Sequence, residues 1–356
     1  MCAEAVAAGV AALQEAERRR TAQIFRLASG MTLSAGIAFG LAWPLAFITP
    51  VMAAKLLTLP SVLPAKAAAG FIGVLGVSLF LSAQLLLPTL AYPAVHLLLT
   101  ALILFLLFYA KASGTNPLLV VLLMLGVLIV PLLGTVSQSL AAAAARGIVF
   151  STAVAIAVVY VVSAVFPDPA TAPAGKSDGP GIGSDKPDLL PQSERVALAA
   201  RSLVVLYPLA VMFLYYSLVP SAVVLVMASF LAMEPTFGKH LAAGKGLILA
   251  NLLGGLVAVV IYNLLVWVPA YPFFLLLVLL AGLLVGGWIF SDRPLGKLLA
   301  AGITAVFLIL GPAVTGDAEA GAKLYTRVAL IMGAVVYVVL AFGLLERLTR
   351  GRRRVA

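Results

Sequence analysis

Apolar positions in this chain come in long blocks, not in alternation. The run "AVHLLLTALILFLLFYA" at 94–110 is representative, with one histidine and one threonine among its first seven residues. Such a block has neither the period of two of a half-buried strand nor the single apolar stripe of a surface helix. A helix that crosses a bilayer needs about 20 mostly apolar residues. Twelve segments fit: 26–43, 45–62, 66–87, 93–110, 117–137, 146–165, 197–217, 220–235, 245–267, 272–290, 295–314 and 326–345. A spanning β-barrel would show alternating segments of about 10 residues instead. The expected fold class is therefore an all-α integral membrane protein of about twelve transmembrane helices.

Composition agrees with the pattern. Charged residues make up 10% of the 356 positions and mean hydropathy is +1.16, against about 25% charged in soluble domains. Residues 3–13 are apolar and "ERRR" follows at 17–20. A secretory signal carries its cations first, so residues 1–25 are expected to form a retained cytoplasmic helix. The single Cys2 leaves no internal disulfide and no cysteine metal cage.

The net charge of +10 is read as cations gathered on the cytoplasmic face, not as a nucleic-acid footprint. With the N-terminus inside, 19 of the 23 lysines and arginines fall on that side. Only Arg146, Lys323 and Arg327 fall outside, and Lys55 lies between. That asymmetry places both termini in the cytoplasm. The stretch "PDPATAPAGKSDGPGIGSDKPDLLPQSER" after the sixth segment has linker composition. The expected organisation is a helix at 1–25, six crossings at 26–165, a flexible cytoplasmic linker at 166–194, six more crossings at 195–345 and a basic tail at 346–356.

The two sets of six repeat one another. "LLLPTLAYPAVHLLL" (85–99) and "LVWVPAYPFFLLLVLL" (265–280) superpose at an offset of 179. That offset pairs Lys66 with Lys245, Gly76 with Gly255, Gln84 with Asn263, Tyr92 with Tyr271 and Pro93 with Pro272. Anchoring on Trp43-Pro44 and Val219-Pro220 shifts the register by three residues, about one helical turn. Six is even, so the two units enter from the same side and are expected to be parallel repeats.

Two stretches carry a family resemblance. "RLASGMTLSAGIAFGLAWPLAFITPVMAAKLL" (26–57) and "GKGLILANLLGGLVAVVIYNLL" (244–265) are similar to membrane segments of the fusaric-acid-resistance-type (FUSC) proteins, which include bacterial aromatic carboxylic acid exporters. The resemblance implies an inner-membrane efflux transporter of organic anions in a bacterium, with a periplasmic membrane-fusion adaptor as implied partner. Plant malate channels are similar at the level of six helices. Many FUSC-like proteins carry a large soluble domain, and here only the linker and the tail stand in its place.

Ionisable and amide side chains inside the apolar blocks are the candidate site. Lys55, in "MAAKLLTLP", falls about ten residues into the second segment, near the expected midplane. The offset brings it to Glu234, so a cation and a carboxylate are expected to face each other across the repeat axis. The lysine would draw an anion and the carboxylate would take part in proton coupling. The plainer reading makes Lys55 snorkel to the interface and Glu234 an interfacial residue beside Lys239. Gln84, Asn263 and Asn251 either hold substrate or join helices. Arg146 and Arg327 are matched outer cations, anchors or an anion gate. Tyr92, Tyr271, Trp43 and Trp267 read as an aromatic belt, and His96 as a bonded packing residue. Gly70, Gly73, Gly76, Gly254 and Gly255 read as helix-approach positions.

The sequence has no nucleotide-binding GxxxxGK(S/T) loop and no HExxH zinc-protease motif. An enzyme is not expected, and neither cofactor nor metal is called for. The partners expected are the bilayer, an organic anion and the adaptor, with homo-oligomerisation left open. An anion channel and a non-transporting scaffold remain the alternatives.

Overall fold

A computed structural model of the chain describes residues 2–43, 45–59, 62–115, 117–167, 191–218, 222–232, 237–291 and 294–314, with isolated positions from 329 to 344. The described residues contain helices and connections and no strand. Among the described residues, seven helices are long and apolar enough to cross a membrane: those at Leu13–Leu41, Ala65–Ala91, Pro93–Ala112, Gln138–Val165, Gln192–Tyr215, Leu249–Trp267 and Tyr271–Ile289. The chain is a multi-pass helical membrane protein. The expected twelfth segment, the linker at 168–190 and the basic tail lie largely or wholly outside the described residues.

The helices are α1 (Cys2–Leu41), α2 (Ile48–Leu57), α3 (Ala65–Leu86), α4 (Pro93–Ala112), α5 (Pro117–Gly134), α6 (Gln138–Val165), α7 (Gln192–Tyr215), α8 (Ala222–Ala232), α9 (Phe237–Trp267), α10 (Tyr271–Ile289) and α11 (Pro294–Val314). A short 3₁₀ turn, Pro88–Ala91, joins α3 to α4. Three boundaries depart from expectation. The N-terminal helix and the first crossing are one rod, α1, because "EAERRRTAQIF" contains no breaker. The second segment is helical for only 10 residues, Ile48–Leu57, with described non-helical residues on either side. α6 begins at Gln138, so Arg146 sits two turns inside it and not at its end.

The chain divides into two compact units, each drawing helices from both sides of the linker. In the first, α1 packs along α10 and α2, α2 along α11, and α10 along α11. Leu27, Ala28, Met31, Ala35 and Ala38 are buried, the three-and-four spacing of one helix face. Small residues set the distances. A Cβ on Gly282 would stand 2.7 Å from Ala28 Cα. Phe39 meets Phe274 edge to face at 5.3 Å.

Ala42 and Leu45 both adopt positive φ, 48° and 60°, in the turn after α1. Conformations of this kind cost about 1–3 kcal/mol each unless the surroundings hold them. Here the Trp43 indole N–H donates to Ser151 Oγ at 2.8 Å, and its ring meets Phe150 edge to face. Trp43 is thus a clamp on the turn, correcting its assignment to a lipid-facing belt. Trp267, 81% exposed, and Tyr92, 68% exposed, keep the belt reading. Ser151→Ala and Trp43→Phe should each cost about 1 kcal/mol. The double variant should cost little more than either single one, as read by thermal unfolding in detergent.

The second unit packs α3 on α5, α4 on α5 and α7, and α8 on α5 and α7. Its core is built on Leu104, Phe108, Met124, Leu206, Phe213 and Leu225. Ser78 Oγ donates to the Leu122 carbonyl at 2.8 Å. Gly126 lies beneath it, where a Cβ would stand 2.6 Å from Ser78 Oγ and 2.7 Å from Ser82 Oγ. The Tyr207 hydroxyl donates to the Leu97 carbonyl at 3.1 Å and ties α7 to α4. The expected glycine contacts of α3 are different. A Cβ on Gly70 or Gly73 would meet nothing within 4 Å, and one on Gly76 only Val149 at 3.9 Å. Serines, not glycines, carry the close approach of α3.

Candidate functional site

At about 1.5 Å per residue the ten residues of α2 span about 15 Å, half of a ~30 Å hydrocarbon core. The helix stops because Thr58 closes it. Its Oγ1 donates to the Lys55 carbonyl at 2.8 Å and its N–H reaches the Ala54 carbonyl at 3.2 Å. Pro60 and Pro64 in the sequence disfavour helix just after that point. Residues 62–64 are outside any helix, half-buried or exposed, and the Leu63 carbonyl accepts from the Tyr160 hydroxyl at 2.9 Å. α3 opens at Ala65.

Lys55 is exposed and lies in the last turn of α2. That corrects its expected place in the middle of a full-length crossing. The carbonyl end of a helix carries partial negative charge, and a cation there gains about 0.3–1 kcal/mol. The ammonium is held at the broken end of a half-length helix. Glu234 falls outside the described residues, and so does Arg327.

The matched amides separate. Gln84 and Asn263 are exposed, and Asn263 Nδ2 donates back to the Val259 carbonyl of its own helix at 2.9 Å. Asn251 is buried, 5% exposed, one residue from Ala250, whose carbonyl oxygen would stand 2.6 Å from a Cβ on Gly302. Its position is one of helix packing. Arg146 is exposed on α6. Tyr271 donates its hydroxyl to the Gly36 carbonyl and joins α10 to α1.

His96 is buried, with Nδ1 2.9 Å from Thr89 Oγ1 and Nε2 3.5 Å from Thr100 Oγ1. The Thr89 hydroxyl also lies 2.8 Å from the Leu86 carbonyl. His96 ties the turn after α3 to α4, as its packing reading holds. Sequence reading missed the shortness of α2. The signal was present in Pro60 and Pro64 just after it.

A family described as "Protein of unknown function (DUF2955)" matches residues 23–162. No curated protein and no solved structure matches the chain.

Proposed function

We propose that the chain is a transporter of organic anions, an exporter of the aromatic-carboxylate type suggested by its FUSC-like segments, working in a bacterial inner membrane and driven by protons. The observation that carries this reading is the broken crossing formed by α2 and the residues after it. Lipid does not tolerate unpaired backbone, so non-helical chain at membrane depth belongs where protein buries it or where it lines a water-filled path. A half-length helix with Lys55 at its open end suits an anion path better than a scaffold.

α8, at Ala222–Ala232, matches α2 at an offset of 174 to 175, as a duplication requires. Three further observations support the duplication. The pairs α1–α10, α1–α2 and α2–α11 of one unit correspond to α7–α4, α7–α8 and α8–α5 of the other. The contact of Ser78 with Gly126 corresponds to that of Gly254 with Gly302 at an offset of 176. The family match at 23–162 coincides with the first expected repeat, 26–165. On this reading α2, α5, α8, α11 and the segment at 326–345 complete twelve crossings, with both termini cytoplasmic.

Flux of hydroxybenzoate-like acids in vesicles, with and without a proton gradient, tests the proposal. Export should stop when an uncoupler is added. Flux that ignores the uncoupler would make the protein an anion channel, and no flux above empty vesicles would leave the scaffold.

A further inference from the structure

Each unit places an arginine of one helix against the final turn of its partner, α7 against α4 and α1 against α10. In the second unit Arg195, at the start of α7, donates through Nη1 to Ser113 Oγ at 3.3 Å, and its guanidinium lies 5.9 Å over the Tyr109 ring. Its Nε is buried and has no hydrogen-bond partner. Lys111 stands in the same last turn of α4. In the first unit Arg20 of α1 donates through Nη2 to the Gly287 carbonyl at 2.7 Å, beside Trp288 at the end of α10. Arg20 and Arg195 match at an offset of 175, as do Arg26 and Arg201.

An apolar track leads to each arginine. Leu98, Leu102 and Leu106 are exposed on one face of α4, one turn apart, and the next turn brings Tyr109. Leu276, Leu280 and Leu284 are exposed at the same spacing on α10, and the next position is Trp288, 44% exposed. Each track is a face for acyl chains that ends in an aromatic ring and a cation.

We propose that these two helix ends are binding sites for anionic phospholipid, one in each unit. The arginine and its hydroxyl or lysine neighbours hold the phosphate, the ring packs against the glycerol region, and the leucine track receives an acyl chain. Basic clusters at the end of membrane helices recognise anionic head groups by this chemistry, and arginine suits phosphate because its donors are paired and planar. A free anion would need the cations but not the leucine tracks. Among the described residues no carboxylate pairs with either arginine: Glu17 and Glu194 are exposed, and Glu15 pairs with Arg19 at 2.8 Å. This inference depends on the chain being a membrane protein and not on its transporting anything.

Native mass spectrometry of the delipidated full chain, titrated with phosphatidylglycerol or phosphatidylcholine in neutral detergent, tests it. Wild type should retain two phosphatidylglycerols selectively, Arg195→Ala and Arg20→Ala one each, and the double variant none. Each arginine should be worth about fivefold in affinity. Should Arg195→Ala fail to give monodisperse protein, Lys111→Gln should weaken the same site. Equal retention of both lipids by wild type, or undiminished phosphatidylglycerol on the double variant, would overturn the proposal and leave the arginines as helix-end caps. Displacement of the lipid by millimolar inorganic phosphate would overturn it too, in favour of a simple anion site.

Discussion

Gly254→Val should abolish the folded protein, while Gly73→Ala should leave it untouched. A Cβ on Gly254 would stand 2.2 Å from the Gly302 carbonyl oxygen, and one on Gly302 would stand 2.6 Å from the Ala250 carbonyl oxygen. The obstacle in both cases is backbone, which cannot turn aside as a side chain can. Overpacking of this kind costs about 3 kcal/mol or more, a large share of a typical folding free energy. Gly73 lies on a helix with open space around it, so alanine there meets no clash and gains up to about 1 kcal/mol in helix propensity. Size-exclusion profiles of fluorescent fusions in mild detergent distinguish the two. A monodisperse Gly254→Val would mean that α9 and α11 do not touch at this point.

Lys55→Ala should reduce anion flux about tenfold or more, the cost of a lost charge-assisted contact, without removing protein from the membrane. Its stability cost is confined to the helix-end term, under about 1 kcal/mol. Lys55→Arg should restore most of the flux, because the requirement is for a cation at the broken end of α2. Normal flux in Lys55→Ala, with normal expression, would reduce the lysine to a complement of the helix end. Gln84→Ala is the contrasting variant. Gln84 is exposed on α3, and its loss should reduce flux less than that of Lys55.

The class of fold was legible because hydropathy is a property of whole segments. A run such as 94–110 admits one structure in lipid, and α4 and α10 lie within two residues of their expected limits. What escaped was the interior of an apolar run. Residues 45–62 average as hydrophobic whether they form one helix or a ten-residue helix followed by extended chain, since averaging is blind to where the backbone stops bonding to itself. Placing Lys55 at mid-helix inherited that error. Trp43 was misread for a related reason: a tryptophan near a helix end suits a headgroup layer, and only the partner, Ser151, over a hundred residues away, says otherwise. Asn251 and His96 show the converse. Sequence left Asn251 between holding substrate and joining helices and read His96 as a packing residue, and the structure shows each buried.

The pairing of α1 with α10 also sets a schedule for biogenesis. Ala28 finds its glycine contact, Gly282, roughly 250 residues later in the chain. At about 5–20 residues per second, the ribosome takes on the order of 10–50 s to supply that partner. Through that interval α1 waits in the bilayer with the small-residue face that meets α10 uncovered. A chain released early strands α1 and α2 without α10 and α11, which makes nascent forms of this protein natural clients for membrane quality control.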